Sequence, residues 1–433
     1  MIATLARRLP FFYGWVIVAV VFVTMAVGVN ARTSFSLLFP PLLNEFGWDQ
    51  GVTAGAFSFG MLVSAVLGPV LGRLMDRGGP RVVMELGVAA LAAGMLLAPL
   101  AHTRWQIYAT LGVLVSSGSI ATGYTGQALF LPNWFARRRG LAISIAYSGV
   151  GMGSIVLLPW LQSLIERSGW RAACIAMGVL MLVLLAPLNL LLCRRPQELG
   201  LYPDGERASD AMASRRRMRV VDAEWAAVDW TLRRAVRTGR FWWIGVAFFG
   251  ALFAWYAVQV HQTKYLVEIG FSPVDAAWAL GAVSLAGIPG QIGMGMLSDR
   301  IGREPVWVAG CLGFAICYGL LIAMRGFPTP LLLYAMVLAQ GVLGYGITSV
   351  MGAVVVEIFE GPHFGSIFGT VIIAAVGGGA AGPWITGLLH DRSGDYTSGF
   401  VLAFGFSIVS AIAIWMAAPR RVRSVANLSG QRF

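Results

Sequence analysis

The sequence predicts an all-α polytopic membrane protein, with twelve transmembrane helices in two pseudo-symmetric six-helix bundles. Three observations lead there. The 433 residues are 57% hydrophobic and 12% charged, with a mean hydropathy of +0.73, which leaves too few charges to coat a water-soluble particle of this size. Twelve stretches reach the roughly 20 apolar residues that a bilayer crossing needs. The second half of the chain also repeats the first at an offset of 223 to 225 residues.

The repeat is legible residue by residue. Gly72-Arg73-Leu74-Met75-Asp76-Arg77-Gly78-Gly79-Pro80-Arg81 returns as Gly295-Met296-Leu297-Ser298-Asp299-Arg300-Ile301-Gly302-Arg303-Glu304. Glu45-Phe46-Gly47 falls on Glu268-Ile269-Gly270, Phe135 on Phe359, Pro159-Trp160 on Pro383-Trp384, and Arg167-Ser168-Gly169 on Arg392-Ser393-Gly394. A parallel duplication in so hydrophobic a chain is how two-halved transporters are built.

In chain order the spans cover 15–39, 52–74, 82–101, 105–131, 141–164 and 172–192, then 241–267, 276–297, 306–323, 331–356, 364–389 and 400–418. Six fall in each repeat, so both halves share one orientation. The domains expected are an N-terminal bundle over 1–193, a linker over 194–240, and a C-terminal bundle with a short tail over 241–433. The first span is too long for a signal-peptide core and is expected to be retained. In the second span Gly60, Ser64, Gly68 and Gly72 form a ridge of small residues on which another helix can lie. The fifth span carries Gly149, Gly151 and Gly153 with no lysine after them, so they read as packing glycines and not as a phosphate loop. The eighth span answers the second with Gly287, Gln291 and Gly295, so Gln291 either hydrogen-bonds across the bundle or faces a solute. Within the linker, Trp225, Val228, Leu232 and Val236 recur at helical spacing. That segment is either a helix in the membrane surface or a solvated linker with a helical piece. Cys174, Cys193, Cys311 and Cys317 lack metal or redox spacing and read as small packing residues.

The net charge of +12 is placed for topology and not for nucleic acid. Of 32 basic residues, 25 fall in connections on the face bearing both termini and six on the opposite face. The positive-inside rule then puts both termini in the cytoplasm and excludes nucleic acid as a partner. Arginine outnumbers lysine 31 to 1, a composition that suggests a bacterial inner membrane from a GC-rich genome.

One base is left over, Arg32, inside the first span in Gly28-Val29-Asn30-Ala31-Arg32-Thr33-Ser34-Phe35. No Asp or Glu sits in the middle of any span to neutralise it. An arginine there costs about 3 kcal/mol on insertion scales, so it either snorkels to the surface or serves an anionic ligand. Guanidinium offers two parallel donors to the two oxygens of a carboxylate.

Pseudo-symmetry sets Tyr256 opposite Thr33 and Gln259 opposite Ser36, and the fourth and tenth spans add Tyr124, Gln127 and Tyr345. Each alone suits packing as well as ligand contact. Together with Arg32, Asn30 and Thr33 they describe a pocket for a small organic anion with one carboxylate and an apolar body. His261 is the candidate proton carrier, with an interfacial structural role as the alternative. Asp76 with Arg77, and Asp299 with Arg300, stand at the ends of spans, where a carboxylate can pair with an arginine or a helix N-terminus in one of two states and act as a gate latch. Arg137, Arg138 and Arg139 are either counter-charges for Asp76 or a topology anchor.

The paired Gly-x-Leu-x-Asp-Arg-x-Gly-type loops resemble the signature loop of the major facilitator superfamily, and repeat and span count agree along the whole chain. Gly14-Trp15, Asn133-Trp134-Phe135-Ala136-Arg137-Arg138-Arg139-Gly140-Leu141-Ala142, Gly382-Pro383-Trp384 and His390-Asp391-Arg392-Ser393-Gly394 look like the monocarboxylate porter branch, with its bacterial members and oxalate:formate antiporter relatives. The resemblance implies the major facilitator fold and a carboxylate carrier with alternating access. The branch's first-helix substrate lysine would fall on Thr33, one position past Arg32. The Asp and Arg pair that animal members carry on the eighth helix is missing here. So are the arginine on helix eight and the lysine on helix eleven of the oxalate:formate relatives.

The function expected is secondary transport of a small monocarboxylate or related organic anion, by symport, antiport or uniport, with protons as a candidate co-substrate. The alternatives are an exporter of lipophilic drugs, which Arg32 does not suit, and a transporter-like receptor. No catalytic constellation or metal cluster is present in the sequence, because His102, His261, His363 and His390 are scattered without ligand spacing. Neither enzyme chemistry nor a cofactor is therefore expected, and the protein is expected to work as a monomer.

Overall fold

In the computed structural model, residues 10–48, 50–205 and 221–422 are described, and these residues are mostly helical with no strands among them. Nine helices among them are long and apolar enough to cross a membrane. Two of the nine hold two spans each. Gln50–Leu97 turns at Gly79 (φ 73°), and Arg139–Leu180 turns at Gly169 (φ 82°). The fourth span supplies the remaining crossing, divided into Arg104–Ile107, a π-helical turn Tyr108–Leu114, Val115–Thr122 and Tyr124–Ala128. Twelve crossings result.

The chain folds into two compact units. One gathers the described residues up to Ala136 with 145–205, and the other gathers Arg137–Ser144 with the described residues from Val221 onward. The second unit contains Gly239–Glu268, Pro273–Ile301, Arg303–Met324, Pro330–Leu338 continued through a π turn into Gly346–Ile358, then Phe364–Ser393 and Thr397–Ala417. These are spans seven to twelve.

The duplication survives as backbone conformation. Gly47 and Gly270, Gly79 and Gly302, and Gly169 and Gly394 are the repeat's matched pairs, and all six have positive φ. A side chain is disfavoured in that region, so glycine ends each helix there and lets the next begin. The aromatic anchors are matched as well. Phe135 packs edge-on to Phe12 at 5.6 Å, while its counterpart Phe359 packs edge-on to Trp230 at 5.2 Å. In each unit an aromatic residue after the fourth crossing holds the segment around the start of the first.

Helices within a unit approach along small residues, as apolar packing without a water-driven force requires. On the second span Gly60 lies against Ser116 and the Gly112 carbonyl, and the Ser64 hydroxyl donates to the Ser116 carbonyl at 3.2 Å. Leu62, Val66 and Val70 on the same helix are more than half exposed, as a lipid-facing stripe should be. Gly149 and Gly153 of the fifth span face the Phe22 and Ala26 carbonyls of the first span, where a Cβ would come within 2.2 Å. In the second unit the Trp307 ring stacks on Phe248 at 5.2 Å and its indole N–H donates to Ser410 at 3.0 Å. All four cysteines are free and buried.

The linker is neither one surface helix nor wholly solvated where it is described. Trp225 lies on the short helix Ala223–Ala227 and Leu232 on Leu232–Ala235, while Val228 between them is extended and Val236 caps the second helix. The Trp225 indole donates to the Ile358 carbonyl at 2.9 Å, and the Val221 N–H donates to the Val422 carbonyl at 2.9 Å. Its second part is therefore docked on the second unit, and residues 206–220 lie outside the described residues.

Candidate functional site

Arg32 stands where the first span is irregular. Gly14–Thr33 ends one residue after it, Ser34 intervenes, and Phe35–Phe46 continues. The hydroxyls of Thr33, Ser34 and Ser36 donate to the carbonyls of Val29, Ala31 and Thr33 at 3.3, 2.7 and 2.8 Å. Such side-chain bonds compete with the helical ladder and explain the break. The Arg32 guanidinium is half-buried, and its described partner is the Met61 thioether, 3.5 Å from Nη1. Sulfur is a weak acceptor. Among the described residues no carboxylate pairs with Arg32.

Two of the expected ligands are fully buried and hydrogen-bonded within their unit. Asn30 is fully buried, donating to the carbonyls of Ala26 and Val150 at 2.7 and 3.0 Å and accepting from Ser154 at 2.8 Å. It cross-links the first and fifth spans. Gln127 is fully buried too, and its amide donates to the Thr122 carbonyl at 3.0 Å. Tyr124 remains half-buried. Its carbonyl accepts from the Tyr147 hydroxyl at 3.2 Å and the two rings meet edge-on at 5.0 Å.

In the second unit the seventh span brings Trp255, Tyr256 and Gln259 together, all half-buried. The Trp255 indole donates to Gln259 Oε1 at 2.7 Å, a contact one helical turn apart that orients the amide. Trp255 also meets Tyr345 of the tenth span at 4.5 Å. Gly379 lies beneath Tyr256 and Gly287 beneath Tyr345, each with room for the ring only because no Cβ is there. Gln291 bonds across the bundle, donating to Thr348, whose hydroxyl donates to the Tyr345 carbonyl at 2.8 Å. His261 Nε2 is 2.9 Å from the Pro383 carbonyl, so Nε2 carries the proton there and Nδ1 is the remaining nitrogen.

The two signature loops differ in their partners. Asp76 is 3.4 Å from Arg194, whose other nitrogen donates to the Asp76 carbonyl at 2.7 Å. Asp299 accepts the backbone N–H groups of Gly140 and Leu141 at 2.8 and 3.0 Å, at the N-terminus of Arg139–Leu180. It also pairs with Arg303 at 2.7 Å, and Arg303 in turn reaches Glu357 at 2.9 Å, with Arg139 3.9 Å from the same carboxylate. The arginine that pairs with Asp299 is Arg303 and not the adjacent Arg300, which is exposed. Gly140 and Gly295 face each other, where a Cβ on either would come within 2.5 Å of the other's carbonyl.

The pattern of the Major Facilitator Superfamily matches residues 16–348 and 262–432. The chain belongs to the major facilitator superfamily. As a superfamily member it is similar to proteins named monocarboxylate transporter 13 from Bos taurus (28% identical over 403 residues, 92% of this chain and 88% of that one) and monocarboxylate transporter 11 from Homo sapiens (27% over 440 residues, 95% and 84%). Among solved structures it is similar to a proton:xylose symporter bound to 6-bromo-6-deoxy-D-glucose (TM-score 0.75, 15% identity, 93% of this chain and 95% of that one). It is also similar to a human organic anion transporter (TM-score 0.70, 17% identity, 94% and 100%). At these identities the structures speak for the fold alone. The chain is thus a multi-pass membrane transporter related to monocarboxylate transporters.

Three residues of this superfamily member escape a reading by residue type. Met61 and Tyr147 are of types that pack in spans as readily as they contact a solute, so their type carries no signal. Trp255 carried one, since it lies four residues before Gln259 and therefore on the same helical face.

Proposed function

We propose that the chain carries a small monocarboxylate or related organic anion across the membrane by alternating access, with Arg32 binding the carboxylate. The observation that carries this reading is a guanidinium within a span whose described partner is a thioether. A bound carboxylate would supply the two charged acceptors that Met61 cannot. The names of the relatives point to the same chemical class. Tyr124, Trp255, Tyr256, Gln259 and Tyr345 are proposed as further solute contacts, offering neutral donors and aromatic rings. His261 is proposed as the proton carrier through Nδ1, and Asp299 as the latch that holds the N-terminus of the fifth span in one of two states. The protein is proposed to work as a monomer with cytoplasmic termini in a bacterial inner membrane, following its charge placement and composition.

Uptake of a labelled monocarboxylate panel into proteoliposomes, with and without an inward proton gradient, tests the reading. The native protein should accumulate at least one member, and Arg32→Ala should lose about tenfold or more, the loss of a charged bidentate contact. Equal uptake by the variant would remove Arg32 from the site. No uptake by the native protein would withdraw the substrate class.

A further inference from the structure

The seventh span begins behind a run of arginines. From Leu232 to Trp243 the chain carries Arg233, Arg234, Arg237 and Arg240 and no Asp or Glu. The first three are exposed and Arg240 is half-buried, and none of the four forms an ion pair among the described residues. Arg234 donates to the Asp229 carbonyl at 2.9 Å. Arg240 lies over the Trp225 ring at 4.1 Å, with Asp222 and Arg421 as charged neighbours. Asp222 is itself occupied as a helix cap, accepting the Trp225 N–H at 2.9 Å, and Arg240 Nη1 finds no acceptor among the described residues.

An apolar surface adjoins these charges. Gly239, Trp242, Trp243 and Val246 follow one another at spacings that put them on one face of Gly239–Glu268. Trp242 is 63% exposed, and Trp243 and Val246 are exposed with it. Large apolar side chains left uncovered at the end of a span suit lipid, and indole rings favour the level of the headgroups. On the same face the helix start is open, since a Cβ at Gly239 would meet nothing within 4 Å. The Thr238 hydroxyl takes the Phe241 N–H at 3.4 Å, which leaves the N–H groups of Gly239 and Arg240 for another acceptor. The Trp242 indole donates to the Val236 carbonyl at 2.9 Å and so holds the arginine-bearing turn beside this ring.

We propose that this corner binds the headgroup phosphate of an anionic phospholipid. Arg233, Arg237 and the open start of the seventh span receive the phosphate, and Trp242, Trp243 and Val246 lie along the acyl chains. A phosphodiester brings the negative charge and the oxygen acceptors that unpaired guanidinium groups and free helix N–H groups lack. Bases beside a span also draw anionic lipid from its surroundings. A choline headgroup sets a second cation next to its phosphate and would bring that cation among the arginines. A free phosphate ion supplies the same oxygens but leaves the tryptophans uncovered. The site depends in no way on which solute is carried.

Native mass spectrometry of the full-length protein in neutral detergent, with phosphatidylglycerol, phosphatidylcholine or inorganic phosphate added, tests the site. The native protein should retain phosphatidylglycerol in preference to phosphatidylcholine. Changing Arg233→Gln and Arg237→Gln together should weaken its retention by about fivefold for each arginine removed. Arg195→Gln, at an exposed arginine of the linker outside this corner, should leave retention unchanged. Phosphatidylglycerol should also raise the melting temperature of the native protein and leave that of the double variant where it is. Equal retention of the two lipids by the native protein overturns the proposal, and this comparison decides even where the double variant fails to fold. An equal loss in Arg195→Gln reduces the effect to general attraction and overturns the site. A matching rise in melting temperature with inorganic phosphate assigns the corner to a free anion and overturns the lipid.

Discussion

Gln262 is fully buried on the seventh span, and among the described residues neither of its amide atoms finds a hydrogen-bond partner. The buried Thr386 hydroxyl on the eleventh span is in the same condition. An unsatisfied buried amide costs about 1–3 kcal/mol, so an apolar residue of similar volume should fit better. Gln262→Met is expected to raise the melting temperature of the detergent-solubilised protein, and a fall would show that the amide is satisfied in solution. The same chemistry explains which candidate residues were legible from sequence. Residue type identifies a polar group in a span but not whether a neighbouring carbonyl already uses it. Asn30, Gln127 and Gln291 each donate to a neighbour within the bundle, a fact held by Ala26, Val150, Thr122 and Thr348 and not by the residues themselves. Arg32 stands out in the sequence because a charge in a span demands a partner wherever it points.

Between elements, the decisive contact joins the loop after the eighth span to the start of Arg139–Leu180. A carboxylate at a helix N-terminus accepts otherwise unpaired N–H groups and complements the positive end of the helix dipole, a contact of about 1 kcal/mol or more when partly buried. Asp299→Asn keeps the shape and removes the charge. It should change turnover several-fold while leaving apparent affinity nearly constant, as read from initial uptake rates across substrate concentration. Equal loss in both would count against a latch. Asp76→Asn should be milder, because Arg194 is also anchored on the Asp76 carbonyl and keeps that bond in the variant. The repeat in sequence exposed both aspartates, and their different partners could not be foreseen. Arg303 stands where the first repeat has Pro80, and that one difference supplies the second unit with a buried guanidinium, only 4% exposed, for Asp299 and Glu357 to share.

Across the whole molecule, the fold was legible because it rests on signals that act over many residues. Hydropathy marks the spans, and the 223-residue offset shows where the pattern starts again. The turns came with it, since the matched glycines adopt positive φ in both halves. The breaks at Ser34 and Gly123 and the π turns were not legible, because they depend on local hydroxyl bonds and close helix crossings. The distribution of arginine makes a prediction at this scale. Tags placed at the two ends of the chain should both be cleaved by protease from the cytoplasmic side and neither from outside, and opposite accessibility would overturn the even number of crossings. The burial of all four cysteines makes such mapping practical. Burial pushes the Cys193 thiol up, away from the thiolate that reacts, and Cys174, Cys311 and Cys317 are enclosed by packed side chains. The natural chain is thus close to a blank background for maleimide chemistry. A single cysteine introduced on an exposed connection would report its side of the membrane, or its distance to a second such label, without first stripping the protein of its own.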